Sequence, residues 1–308
     1  MSRRPGRPPL NRTIDRQTPL RPLGHGLDSP FAQLKLCREI LETPHACIAL
    51  EHAVDDELSS ALLAEFPPLE VVAQGTELGS NKRFSLPAAD ALGDERIAPV
   101  WREFVAAHTS QRFLDQLIEL FADDIRRLYP SLEQRLGSLD ELRAGNRKRD
   151  SWDAADVMLD AQISVNTPVT GRPDSVRSWH LDNADKLFAG LFYLRHPDDH
   201  STGGDLELGR FRRGRRGLRG PMIYSTFVER VRTVKYERGT LVLFLNSPDA
   251  IHGVTVRSHT DVPRYFLNLV AEVEQPLFAV GDYQARMVDK LLAGPEIAAR
   301  RVGQLVGR

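Results

Sequence analysis

The sequence predicts an α+β chain with a mainly β core, preceded by helices and followed by one more. Two patterns lead there. From Val157 onward the chain runs in short extended stretches broken by turn residues, as sandwiches and barrels do. Before that point, apolar side chains recur at helical spacing in separate blocks. The 308 residues are 41% hydrophobic and 27% charged, an ordinary globular balance that supports a sizeable core.

Residues 1–24 are rich in Arg and Pro and almost free of large apolar side chains, so they cannot offset their ordering entropy and are read as a disordered basic tail. Within it, Arg4-Pro5-Gly6-Arg7-Pro8-Pro9 resembles the core of minor-groove AT-hooks, but Pro5 interrupts that core. The tail is therefore taken as a solvated end, with no nucleic acid as partner. Residues 25–150 form a helical flank. From Phe31 to Ile48 the pattern is helix-like and then extended. Asp55 or Asp56 caps a helix over Glu57–Phe66, whose Leu58, Leu62, Leu63 and Phe66 share a face. A second helix begins near Pro99, with Val100, Trp101, Phe104 and Val105. Thr109 or Ser110 caps a third, with Phe113 to Leu128 on its apolar side and Pro130 beyond its end. The polar stretch from Gly137 to Asp150 reads as a linker.

The core spans 151–275. Its expected strands are Ala161–Asn166, Leu187–Leu194, Asp205–Phe211, Arg230–Tyr236, Thr240–Asn246 and Arg264–Val273. Residues 276–308 form a helical extension in which Tyr283, Met287, Leu291 and Leu292 mark a stripe packing outside the core.

A net charge of −1 gives no global field toward nucleic acid or membrane. Cys37 and Cys47 are the only cysteines, so there is no disulfide framework and a reducing cytoplasm is the expected compartment. No apolar run reaches the roughly 18 residues of a membrane span, and the basic N-terminus has no apolar signal region.

Three His-x-Asp pairs occur: His180/Asp182, His196/Asp198 and His259/Asp261. On an extended segment, residues i and i+2 point the same way, so each pair can aim at one ion. His196-Pro197-Asp198 lies in a turn-like polar run before Gly203-Gly204. His259-Thr260-Asp261 precedes Pro263 and has no later His to complete it. Only His180/Asp182 has strand-like flanks, a distal His252 after the apolar run Leu241 to Leu245, and a trailing Arg264. Two His and one carboxylate on one face of a metal, the other positions open, form the facial triad of non-haem Fe(II) oxygenases.

His180-x-Asp182, distal His252 and trailing Arg264 resemble the 2-oxoglutarate- and Fe(II)-dependent dioxygenases of the prolyl-hydroxylase-like kind. The likeness covers residues 155–275, and Leu191-Phe192-Tyr193-Leu194, Gly203-Gly204-Asp205 and Tyr236-Glu237-Arg238-Gly239 fit the family's strand–hairpin–strand order. The resemblance implies a double-stranded β-helix (jelly roll). It implies Fe(II) on His180, Asp182 and His252, with 2-oxoglutarate and O2 as co-substrates, and a C–H hydroxylation coupled to release of succinate and CO2. Related halogenases lack the carboxylate, so Asp182 points to hydroxylation.

The distal carboxylate of 2-oxoglutarate requires a cation. Arg264 fits through bidentate pairing; Arg257, only five residues past His252, falls in the turn. Tyr193 matches a family position whose phenol binds the same carboxylate. Gln162, Ser164 and Asn166 form one polar strand face, facing either the cavity or solvent, with Asn166 the preferred co-substrate contact. Trp179 reads as a packing wall. The Arg-dense stretch Arg210 to Arg219 is either a lid recruiting an anionic substrate or a solvated insertion. The expected substrate is a small molecule or glycan-type compound. A protein side chain or nucleobase is the alternative, and a non-enzymatic binding module is a third reading that intact ligands disfavour.

Overall fold

The computed structural model describes residues 46–212, 214, 218, 219, 221–279 and 287–299. The expected basic tail, the Phe31 to Pro44 stretch with Cys37, and Tyr283 lie outside the described residues, as does part of the Arg-dense stretch.

The first elements are strand β1 (Cys47–Leu50), helices α1 (Asp56–Ala64) and α2 (Leu69–Val72), strand β2 (Arg83–Leu86) and helix α3 (Ala88–Gly93). Helices α4 (Pro99–Ala107), α5 (Gln111–Leu128) and α6 (Leu132–Leu136) follow, then strand β3 (Ala144–Asn146). The N-terminal ends behave as short polar residues dictate. Asp55 accepts from Leu58 N at 2.7 Å, and Ser110 Oγ accepts from Phe113 N at 3.2 Å, each satisfying a donor the helix itself leaves unpaired.

The core strands are β4 (Val157–Asn166), β5 (Lys186–Tyr193), β6 (Leu206–Phe211), β7 (Leu218–Arg219), β8 (Met222–Ile223), β9 (Val228–Val234), β10 (Leu241–Leu245), β11 (Ile251–Val254) and β12 (Arg264–Glu272); helix α7 (Met287–Leu292) comes last. All six expected strands form, with ends shifted by at most four residues; β4 starts at Val157 rather than Ala161.

A large sheet runs β1-β10-β5-β12-β4-β2, with β3 joined to β4 in parallel, and a small sheet runs β11-β6-β9. Side-chain alternation gives the large sheet two faces. Leu159, Ala161, Ile163 and Val165 of β4, with Phe192, Leu243, Leu267 and Leu269, pack against Leu62, Trp101, Phe104, Phe113, Leu117 and Phe121 of the helices. The ring pairs Phe104–Phe192 and Phe121–Phe188 lie 5.6 and 5.7 Å apart. Each such fully buried side chain contributes about 1.5–3 kcal/mol of transfer free energy. The opposite face looks toward the small sheet, where Tyr193, Leu206, Leu208, Tyr236, Phe244 and Phe266 form a second cluster.

Strand β1 falls at the end of the stretch expected to turn extended by Ile48, whereas strands β2 and β3 are not anticipated. Each has three or four residues, too few for a period to show. The stretch expected to be a linker therefore supplies a sheet strand, and its Asn146 is buried. The C-terminal stripe is corrected too: Met287, Leu291 and Leu292 are 80%, 74% and 52% exposed. This segment docks instead through Ala293 and Ile297 on Tyr224 and Phe227, while Glu296 accepts from Ser225 N at 3.1 Å. No described helix is long and apolar enough to cross a membrane.

Candidate metal centre

His180 lies between β4 and β5 and joins the small sheet. Its backbone bridges His252 of β11 on one side and Met222 of β8 on the other. Leu181 turns away into an apolar cluster with Ile223 and Ile251, so His180 and Asp182 face the same way, as extended geometry requires. Asp182 Oδ1 lies 3.8 Å from His180 Nε2, and Asp182 Oδ2 lies 3.8 Å from His252 Nε2. The ligand atoms of all three residues fall within 4.8 Å of one another, and all three are buried.

The tautomers are fixed by what the other nitrogens touch. His180 Nδ1–H donates to Ser178 O at 2.8 Å, and His252 Nδ1–H donates to Ala250 O at 3.0 Å. Carbonyls only accept, so each Nε2 presents a lone pair to the cluster. Burial lowers the pKa of both imidazoles, most strongly at His180, where His252 and Arg177 add to the effect. Burial alone would raise the Asp182 carboxyl, but Lys186, His252, His180 and Arg177 outweigh it and hold the group well below the usual carboxylate range. Two neutral imidazoles and an ionised carboxylate fit a hard-to-borderline divalent cation.

The other two His-x-Asp pairs stay apart from this cluster. His196 and Asp198 are solvent-facing at 3.7 Å, and His259 Nδ1 is taken up by Val169 O.

The triad sits on the wall of a cavity of about 370 Å³, also lined by Asn166, Gln162, Arg264 and Phe266. Arg264 Nε donates to Gly204 O at 2.9 Å. Its guanidinium lies 4.8–4.9 Å from the ring centres of Tyr193, Tyr236 and Phe266. The Gly203-Gly204 turn makes this approach possible. Both residues have positive φ; a Cβ on Gly204 would stand 3.3 Å from Arg264 Cδ, and one on Gly203 would stand 1.8 Å from Val256 O. Arg257 is spent elsewhere: it pairs with Asp199 at 2.8 Å and reaches Ser201 Oγ and Val262 O.

Buried Arg264 Nη2, Tyr193 Oη and Asn166 Oδ1 make no regular hydrogen bond within the described protein. Burial raises the Tyr193 pKa, partly countered by Arg264 beside it, so the phenol stays protonated as a donor. The residues that carry them are neighbours in the sheet: Arg264 lies opposite Asn166, and Tyr193 lies opposite Phe266, two residues further along β12. Such a set fits a dicarboxylate whose far end is gripped by the guanidinium.

Of the polar β4 face, Ser164 and Asn166 are buried and Gln162 half-buried, turned inward rather than to solvent. Trp179 packs beside Gly209 and Gly253, as a wall. Arg210 pairs with Glu229 at 3.0 Å and Arg212 Nε donates to Val228 O; Arg213, Arg215 and Arg216 lie outside the described residues. Sequence reasoning missed Arg83, Arg147, Arg177 and Lys186, which also line the cavity. Lys186 and Arg177, within four and five residues of Asp182, were within reach of an inspection of charge; Arg83 and Arg147, on or beside unrecognised strands, were not.

No protein-family model matches the sequence, and no curated protein is similar to it. Several solved structures align with parts of the chain. A prolyl-4-hydroxylase from Pseudomonas putida aligns over 80% of this chain and 99% of its own, at 16% identity and a TM-score of 0.38. A prolyl 4-hydroxylase from Phytophthora capsici aligns over 89% and 77%, at 14% identity and 0.47. The non-heme alpha ketoglutarate dependent epimerase of nogalamycin biosynthesis aligns over 83% and 87%, at 12% identity and 0.44. Independently of these alignments, the buried His180, Asp182 and His252 form a two-histidine, one-carboxylate donor set able to hold a metal ion.

Proposed function

We propose that the protein is an Fe(II)- and 2-oxoglutarate-dependent dioxygenase that hydroxylates an unactivated C–H bond of a small polar molecule or glycan-type substrate. One observation carries this reading: three ligand atoms converge on a cavity that also holds the orphaned Arg264, Tyr193 and Asn166 groups. The topology supports a double-stranded β-helix. Segments alternate between sheets except at the paired strands β6 and β9: β4, β5, β10 and β12 lie in the large one, while the His180 bridge, β6, β9 and β11 build the small one.

His180, Asp182 and His252 would hold the iron. Arg264 receives the distal carboxylate of 2-oxoglutarate, with Tyr193 Oη donating to it and Asn166 beside it. Held there, iron with 2-oxoglutarate and O2 would supply the oxidant for C–H cleavage, with succinate and CO2 as the co-substrate's products. The protein's share is orientation and exclusion of water, to which the apolar Leu191, Leu206, Phe244 and Phe266 contribute. Ser85, Gln162 and Asn268 give the cavity lining a hydrogen-bonding character, with Gln162 Oε1 accepting from Asn268 at 2.7 Å. That favours a hydrophilic substrate.

The test is anaerobic addition of Fe(II) and 2-oxoglutarate to the full chain, followed by visible spectroscopy and then O2 exposure with succinate detection across a metabolite panel. A charge-transfer band and metabolite-stimulated succinate are expected. Absence of the band sinks the reading; stimulation by peptides or oligonucleotides alone would overturn the substrate class.

A further inference from the structure

Five basic side chains line the cavity, and three of them have assigned work. Arg147 Nε pairs with Glu272 at 2.6 Å and its Nη1 with Asp160 at 3.4 Å. Lys186 Nζ lies 3.2 Å from Asp182 Oδ1, and Arg264 is committed to the co-substrate end. The other two are Arg83 and Arg177. Arg83 makes no ion pair or side-chain hydrogen bond among the described residues; its guanidinium rests 5.1 Å from the centre of the Phe266 ring. Among the described residues, the Arg177 guanidinium pairs only with Asp182 Oδ1, at 3.8 Å, and a metal on Asp182 would compete for that charge.

The sheet sets Arg83 in one row with the co-substrate residues. Asn166 of β4 pairs with Arg264 of β12 on one side and with Arg83 of β2 on the other. The two arginines share Phe266, since Arg264 lies 4.8 Å from the same ring. Arg83 keeps solvent access at the cavity mouth. Its like-charged neighbours are Arg177 and Arg264, with Asp182 as the opposing charge. These cations outnumber the one carboxylate they share, Asp182, and an added oxyanion relieves their mutual repulsion while filling the guanidinium forks.

We infer that Arg83 and Arg177 form a second oxyanion subsite at the cavity mouth, which holds a carboxylate or phosphate group of the prime substrate. This rests on the dioxygenase reading for what the substrate is, but not for whether the anion binds. A dianionic 2-oxoglutarate is already matched by Arg264 and the metal, so the remaining two cations select an anionic partner for it. The N-terminal strand β2 thereby contributes to substrate choice, not only to the sheet edge.

The test uses the full chain loaded with Mn(II) and 2-oxoglutarate under conditions without turnover. Inorganic phosphate and acetate are titrated in separate calorimetric arms into wild type, Arg83→Gln and Arg177→Gln, and again into metal-free protein. At least one anion is expected to bind wild type and to weaken about tenfold in each variant. The affinity for 2-oxoglutarate should stay within about twofold. The stronger arm names the group. Equal binding in all three proteins would mean an adventitious ion only and overturns the inference, as does no binding by wild type. A collapse of 2-oxoglutarate affinity in Arg83→Gln also overturns it, by assigning that residue to the co-substrate. Loss of Mn(II) binding by wild type with the Arg-dependent phosphate or acetate binding intact would count against the iron reading alone.

Discussion

His180 and His252 exchange both of their backbone hydrogen bonds, His180 N donating to His252 O at 2.8 Å and His252 N to His180 O at 3.1 Å. The two ligands are thus a directly opposed antiparallel pair, with ring centres 4.1 Å apart. Neither depends on a flexible loop for its position relative to the other. Preorganisation of this kind means a divalent ion meets ligands already in place.

Removing one ligand should therefore abolish uptake rather than reshape the site. His252→Ala is expected to lose the anaerobic Fe(II)/2-oxoglutarate band and to bind Mn(II) at least 100-fold more weakly, by at least about 2.7 kcal/mol. Equilibrium dialysis measures this directly. Wild-type Mn(II) affinity in the variant would remove His252 from the ligand set.

Arg264→Ala separates the co-substrate from the metal. A charge-assisted hydrogen bond contributes about 1.5–3 kcal/mol, so 2-oxoglutarate affinity should fall by roughly 10- to 100-fold. Mn(II) affinity should not change. Retained 2-oxoglutarate affinity would withdraw the assignment and reopen the search for its cation.

Tyr193→Phe tests the buried hydroxyl. Deleting a group that finds no regular partner costs the fold nothing in lost hydrogen bonds, so the thermal midpoint should stay level or rise slightly. Affinity for 2-oxoglutarate should drop several-fold. A clear fall in stability with unchanged affinity would make the residue structural.

Gly253 couples packing to the ligands. A Cβ there would lie 3.0 Å from Trp179 N and 3.2 Å from Ser178 C, both backbone atoms of the segment carrying His180. Gly253→Ala should cost about 1–3 kcal/mol in overpacking and weaken Mn(II) binding by roughly tenfold. Unfolding midpoints and dialysis report the two effects; normal metal affinity would show that the His180 segment absorbs the methyl freely.

The helical layer makes a pH prediction of its own. Burial lowers the His108 imidazole from 6.5 to about 3, against a smaller upward pull from its bond to Phe104 O. The unfolded chain then binds the extra proton between those values. Stability from this group is complete above about pH 6.5 and is lost as pH falls toward 3, with a slope up to about 1.4 kcal/mol per pH unit. His108→Phe should flatten urea midpoints plotted across that window; an unchanged slope would mean the imidazole is not buried neutral.

The sequence alone determined the elements with strong periodicity and the ligands with ordered spacing. The α5 stripe from Phe113 to Ile125 and the six core strands carry enough residues for their period to show. His180-x-Asp182 announces itself because two residues apart on an extended chain means one shared side. What the chain could not state was which partner each edge would find. Arg83, in a four-residue strand, and Arg147, just after a three-residue one, have no local pattern to mark them; pairing across β4 brings Arg83 into the cavity, and Arg147 reaches it through Asp160 and Glu272. Polar Gln162, Ser164 and Asn166 had two possible sides, and only the packing of the small sheet over them chose the inner one. Arg257 and Arg264 are equally basic in sequence; the fold separates them, because Asp199 neutralises the first while the second is turned among aromatic rings toward the metal site. Local spacing fixes the direction of neighbouring side chains, whereas contact between residues eighty apart exists only once the sheets have formed.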